Sequence, residues 1–288
     1  MNKFSDINIF VKNNLEKQLA ELEIRRKKWL LFAVLFSLIS LFICILLALN
    51  IELDKKTIGP VVFVAILPYV MITEKYKLDI QNRVMESFLS YFAGFEYSEQ
   101  ECIPDYKIIK SKLFHCNKND SRACFSGLVN NNKTTTSITK LFLQDEQSLQ
   151  KECEFDGIIS MSLSDNFFEH EIIIANNADV EFFSGLPRVN ISGIYAFCQD
   201  NDYAKLCLSE EFKNWFNSIE ATLMVDKYAV SLFENTILIS LFIPDIKPFK
   251  VKSIFTSIRY TDEMNALYVV LIKLLEVNFL RFSTPKYD

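Results

Sequence analysis

The sequence predicts an α+β protein carried on a membrane anchor: an N-terminal two-helix transmembrane hairpin, then a soluble domain with an antiparallel sheet faced by helices. Three observations support this. Trp29–Leu49 (WLLFAVLFSLISLFICILLAL) is an unbroken apolar run without a charge, long enough as a helix to cross a hydrocarbon core of about 30 Å. A second apolar run, Ile58–Thr73 (IGPVVFVAILPYVMIT), follows after a short loop. Beyond it the apolar period changes from helical to two, then returns to helical near residues 209 and 261. The chain therefore divides into an arm (1–28), a hairpin (29–73, spans 29–49 and 58–73) and a domain (74–288). An all-β sandwich with a trailing helix is the competing architecture.

Composition sets the outer limits. Half of the 288 residues are apolar and 26 are Phe, too apolar for disorder. The roughly 200 residues after the hairpin suffice for one domain with a full core. Net charge is −5 and no block of like charge is longer than Arg25–Lys28, so the basic stripe of a nucleic-acid binder is missing. Seven cysteines (44, 102, 116, 124, 153, 198 and 207) at no repeated spacing do not form a disulfide framework. They are expected as thiols in a reducing compartment. The apolar run starts too late and runs too long for a cleavable signal peptide.

In the arm, residues 4–28, the positions Val11, Leu15, Leu19 and Leu22 recur at helical spacing with Glu16, Lys17 and Glu21 on the wet side. Such a helix lies on the domain or the membrane surface; the sharper alternative is a short self-pairing coil and a homo-oligomer. Arg25-Arg26-Lys27-Lys28 precede the first span, and Lys75, Lys77 and Arg83 follow the second run. The loop Asn50–Thr57 balances Lys55 and Lys56 with Glu52 and Asp54. Basic residues crowd both outer flanks, which predicts both termini in the cytoplasm and a multi-pass protein of the inner membrane. The second run is short and Pro68 stands within it, so a re-entrant segment would show the same pattern.

Ile80, Val84, Phe88 and Phe92 continue a helical face out of the second run, with Gly94 as its C-cap. A short helix is expected around Tyr106–Leu113. Arg122–Val129 and Ser137–Leu143, joined at Asn130-Asn131-Asn132, form a strand pair. In Phe155–Ser164 the alternation places Ile159, Met161 and Leu163 inward and Ser160, Ser162 and Ser164 outward. Glu171–Ala175, Gly193–Cys198, Leu223–Val225, Tyr228–Phe233 and Thr236–Ile243 are further strands, the last two turned at Glu234-Asn235. Pro244 and Pro248 close the sheet of six to eight strands. Ser209–Ile219 is a helix with Ser209 as N-cap and Glu210-Glu211 in its first turn. Thr261–Phe282 is the last helix; Lys273, Glu276 and Arg281 make it a poor third span, so it packs on the sheet.

Several segments have a familial pattern. Gly193–Ile219, GIYAFCQDNDYAKLCLSEEFKNWFNSI, resembles an "F-x-V-Y … D-x-x-x-A-R-x-x-L-T-P" segment leading into a helix. Phe155-Asp156-Gly157 resembles an F-x-G strand start, and DIKPFKVKSIFTSI followed by LLEVNFL resembles a closing turn and last helix. The family is one of bacterial membrane proteins catalogued as a domain of unknown function, number thirty-one thirty-seven. Lys205 stands where its pattern has Arg, and Ser209-Glu210 stand for Thr-Pro. The resemblance implies a two-span hairpin followed by an α+β domain, and it implies no reaction.

No residue pattern reaches a catalytic, cofactor or metal signature, so the expected catalytic, cofactor-binding and metal residues are none. His115, Cys116 and Cys124, with Cys102 upstream, lack the close pairing of a zinc site. His115 and Cys116 are adjacent, which points nucleophile and base apart, and no G-x-S-x-G occurs. His170, between Glu169 and Glu171, is expected at a solvated strand edge. The six glycines are too dispersed to cradle phosphate. Asp200-Asn201-Asp202 is either a polar turn or an oxygen-ligand loop for a cation. Lys247, Lys250, Lys252 and Arg259 are either a solvated face or a contact to anionic headgroups. The expected partners are the lipid bilayer and a protein held at it, with no nucleic acid. A hydrolase using Asp200 and Asp202, and an effector inserting its hairpin into a foreign membrane, are the rivals.

Overall fold

The computed structural model describes residues 3–50, 55–89, 94–98, 103–144, 151–176, 185–191, 194–246, 257–258 and 262–282. The tip of the predicted hairpin loop, residues 51–54, lies outside them, as do Cys102, Gly193, Lys247, Pro248, Lys250, Lys252 and Arg259. The chain forms two units, one of Met1–Tyr91 with Phe249–Asp262 and one of Phe92–Pro248 with Glu263–Asp288.

In the first unit, α1 (Lys3–Asn50) and α2 (Lys55–Leu89) are long helices packed against each other. The Arg25–Asp79 ion pair, at 3.8 Å, and the short connection between Asn50 and Lys55 make the pair antiparallel. The predicted arm is thus no separate element: it is the first half of the helix that continues through the apolar run. Leu15 and Leu19 are buried, as are Tyr76, Ile80, Val84 and Met85 on α2. Leu15 and Leu19 of the arm's stripe are therefore covered within the chain. α2 passes through Pro60 and Pro68 without a break in its helix.

The second unit is α+β, with seven strands among the described residues. β1 (Glu96–Ser98), β2 (Lys118–Val129), β3 (Asn132–Gln144) and β4 (Lys151–Ala175) follow in order, and β5 (Arg188–Ile191) pairs with β6 (Ile194–Phe197) beyond β4. All pairings are antiparallel. The β2–β3 turn needs only Asn130 and Asn131, whose φ values of 50° and 65° fit the two left-handed positions of a type I′ hairpin. Both strands are accordingly longer than the apolar alternation indicates.

β7 (Lys227–Phe242) pairs with β4 along most of its length. The Ser240 hydroxyl nevertheless donates to the Ala229 carbonyl at 3.3 Å, across eleven residues. An extended run of that length spans about 36 Å, so β7 must fold back on itself. The reversal falls at Glu234, which has φ of 50°, where Glu234-Asn235 predicts the turn. One limb pairs with Gly157–Leu163 of β4 and the other with Ile172–Ala175, so β4 passes around the tip of β7 between them.

Helices cover both faces. α3 (Asp105–Lys110) and the segment after it bury Ile108 and Leu113 with Leu141, Phe155, Ile159, Met161 and Leu238. On the opposite face lie α5 (Glu210–Leu223) and α6 (Asp262–Leu275), the latter followed by a 3-10 turn at Glu276–Phe279. Phe216 meets Tyr228 at 4.8 Å, Phe212 meets Phe282 at 5.7 Å, and Trp215 Nε1 donates to the Lys273 carbonyl. Ser209 caps α5 as expected, accepting from the Phe212 N–H. Leu223–Val225 is not a strand: Leu223 ends α5 and Met224 is its left-handed cap.

The serines read as outward are a second correction. Ser160 and Ser162 are buried, because the helix layer covers the face that alternation alone leaves wet. Each pairs its hydroxyl across the sheet, Ser160 with Thr136 at 2.9 Å and Ser162 with Thr134 at 3.0 Å. Asn278 of the 3-10 turn also accepts from Thr134. A buried hydroxyl with a partner costs little, whereas one without costs about 1–3 kcal/mol.

Candidate functional site

The feature with the plainest functional consequence is the apolar half of the helix pair. Among the described residues one helix is long and apolar enough to cross a membrane, over Leu15–Leu46, and its most apolar part is almost wholly exposed. Leu31, Phe32, Leu38 and Phe42 are each more than half exposed. Such a continuous apolar surface far exceeds what a water-soluble monomer shows. Two polar groups there satisfy themselves: Ser37 Oγ donates to the Ala33 carbonyl at 2.7 Å and Thr73 Oγ1 to that of Val70 at 2.9 Å. Hydrocarbon demands that arrangement. The side chains of residues 55–66 lie outside the described ones, and α2 does not appear as a second candidate span.

Where the apolar surface ends, charges begin on both helices at one height. Arg26 is buried and held by Glu23, with Nη2 at 2.6 Å from Oε1 and Nε at 2.8 Å from Oε2. Glu23 Oε2 also accepts the Ile258 N–H at 2.9 Å. Asp79 lies between Arg25 and Arg83, and Lys77 pairs with Glu74 at 2.6 Å. Lys27, Lys28 and Lys75 are exposed. An open groove along Glu16, Leu19, Glu23 and Lys27, bounded by Ser257 and Ile258, has carboxylates but no thiol or imidazole among the described residues that line it.

The second unit assigns structural work to the residues singled out for chemistry. Asp200 is the N-cap of α4 (Asn201–Cys207), accepting from the Asp202 and Tyr203 N–H groups. The Tyr203 N–H holds its carboxyl below the usual aspartate range, which suits a cap and not a general acid. Asp202 pairs with Lys205 at 3.4 Å. His170 meets the Tyr203 ring edge-to-face at 5.0 Å. No group of three His, Cys, Asp or Glu that could hold a metal ion occurs among the described residues.

The thiols divide in two. Cys124 is disulfide-bonded, with its partner outside the described residues, against the expectation that every cysteine is a thiol. Cys116 is half-buried; burial first, then the carboxylates of Asp105 and Glu154, push its thiol up to about 11. At neutral pH this leaves about a hundredfold less thiolate than an ordinary cysteine carries. In a variant keeping Cys116 as the sole thiol, alkylation should be slow at pH 7. Its rate should climb about tenfold per pH unit to near pH 11; a plateau near pH 8 would contradict the burial argument.

Sequence reasoning missed one cluster altogether. Asp156 is buried, with Lys140 Nζ at 2.7 Å from Oδ2 and Arg122 Nη2 at 3.3 Å from Oδ1. The second contact is an ion pair whose alignment falls short of a hydrogen bond. Oδ2 also accepts the Asp245 N–H, the Asp156 carbonyl accepts the Ile243 N–H, and Arg122 Nη1 donates to the Ile246 carbonyl. The cluster fastens the chain where it leaves β7. Its members come from distant parts of the sequence, so no local spacing announces it.

No family model matches the chain, and no curated protein matches it. Among solved structures it is similar to the mycobacterial trehalose monomycolate transport factor A, at 9% identity over 71% of this chain and 98% of that one, with a TM-score of 0.36. A likeness at that score carries no argument about function.

Proposed function

We propose that the protein is a membrane-tethered binding module: an inner-membrane hairpin that holds a cytoplasmic α+β domain, and the protein partner of that domain, at the bilayer. The observation that carries this reading is the continuity of α1. One helix passes without a break from an exposed apolar run into a stalk packed on α2, so the anchor and the base of the stalk are one continuous helix. The antiparallel course of α2 supports a second crossing, because it sets the run Ile58–Thr73 alongside Trp29–Leu49 and returns the chain to its starting side. The Lys/Arg excess at the stalk end, Arg25–Lys28 with Lys75, Lys77 and Arg83, supports a cytoplasmic domain. Asp200 and Asp202, the first candidates of the rival hydrolase reading, respectively cap α4 and pair with Lys205.

In-cell cross-linking from the domain, read by mass spectrometry, tests the proposal. A discrete adduct to one protein is expected, lost when residues 95–288 are removed, with the parent chain resisting carbonate extraction from membranes. Absence of any adduct, together with substrate turnover by the purified protein that Asp200→Asn abolishes, would replace the tether by an enzyme.

A further inference from the structure

The charged collar at the base of the stalk does more than orient the hairpin. We propose that Lys27 and Lys28 of α1 and Lys75 of α2 bind anionic phospholipid headgroups of the leaflet on the stalk side, an inference that rests on the tether reading. Three observations converge on these lysines. The first is height. Lys28 stands one residue before the apolar run and Lys75 two residues after Thr73, while the Arg25–Asp79 contact shows that the two helices are level there. A lysine stem of that length reaches the headgroup layer from either helix.

The second observation is which cations remain. Arg26 is committed to Glu23, Arg25 and Arg83 share Asp79, and Lys77 takes Glu74. Lys27, Lys28 and Lys75 are exposed and make no ion pair with any described residue, although Lys27 lies within electrostatic reach of Glu23. The third is distribution. Successive helical residues turn by about 100°, so Lys27 and Lys28 face different directions on α1, and Lys75 adds a charge from α2. The result is a set of three exposed ammonium groups, without an ion pair among the described residues, where the exposed apolar surface stops. Its complement is a layer of phosphate-bearing lipids. Three point charges without a basic stripe are too few for nucleic acid.

Each lysine near an anionic surface is worth roughly a fivefold preference, so the three together give on the order of a hundredfold. The full-length protein would be reconstituted into vesicles of equal phosphatidylglycerol and phosphatidylcholine, and co-purified lipid counted by native mass spectrometry. Phosphatidylglycerol should be retained preferentially, and the preference should fall steeply in 1 M salt and in the Lys27→Gln/Lys28→Gln/Lys75→Gln variant. The arginine triple variant, which keeps the charge, should retain it; this separates lost charge from lost folding. Equal retention of the two lipids by the native chain overturns the proposal, and so does full displacement by millimolar inorganic phosphate. Co-flotation with pure phosphatidylcholine vesicles separates the two levels. A chain that floats but shows no anionic preference leaves the tether standing, whereas one that does not float removes the tether as well.

Discussion

Asp156→Ala should destabilise the domain by about 3 kcal/mol. Breaking a buried ion pair from one side leaves the partner charge unpaired in poor solvent, at a cost of roughly 3–5 kcal/mol. The lower end applies because Arg122 and Lys140 are 23% and 27% exposed and can recover some hydration. The variant also removes the acceptor for the Asp245 N–H, at a position where Asp245 has φ of 59°. Urea unfolding of the solubilised protein, followed through Trp215 in a Trp29→Phe background, reads the change. With a slope of about 2 kcal/mol/M the midpoint should fall by roughly 1.5 M. Asp156→Asn, which keeps an acceptor near Oδ2, should cost less than the alanine. A loss below about 1 kcal/mol for alanine would show the cluster to be a solvated surface network.

That cluster also marks where sequence reasoning stopped. Elements with strong local signals were legible: the apolar run inside α1, the Ser209 cap with its acidic first turn, the Asn130-Asn131 turn and the reversal at Glu234-Asn235. What failed depended on distant partners. Alternation in Phe155–Ser164 locates one apolar face, but says nothing of a helix layer that buries the other and pairs Ser160 with Thr136. The arm's stripe at Leu15 and Leu19 is real, yet a pattern of apolar spacing does not name its partner, and here that partner lies within the same chain. β1 and β5 are edge strands of three and four residues, too short for any period to register. Asp200 is the instructive case at the candidate site. An Asp ahead of a helix start is a cap signal as much as a cation signal, and the Tyr203 N–H decides between them.

The redox state of Cys124 in living cells should decide the topology outright. Two observations pull in opposite directions. The Lys/Arg asymmetry favours the proposed cytoplasmic placement of the domain. The structure joins Cys124 in a disulfide, a bond that a reducing cytosol opens. If the proposed topology holds, cells quenched in acid, denatured and labelled with a maleimide polymer without reductant should show all seven cysteines as thiols. Denaturation is needed because Cys124 is fully buried in the folded domain. If the domain faces an oxidising compartment, only the five described cysteines that are thiols in the structure should label, and the other two should appear after reduction. The readout is a ladder differing by two polymer masses, so it does not depend on how well the protein folds in detergent. Five labels would invert the hairpin and move the proposed partner to the far side of the membrane. The collar would remain at a headgroup layer, because Lys27, Lys28 and Lys75 mark the edge of the apolar surface whichever leaflet that edge meets.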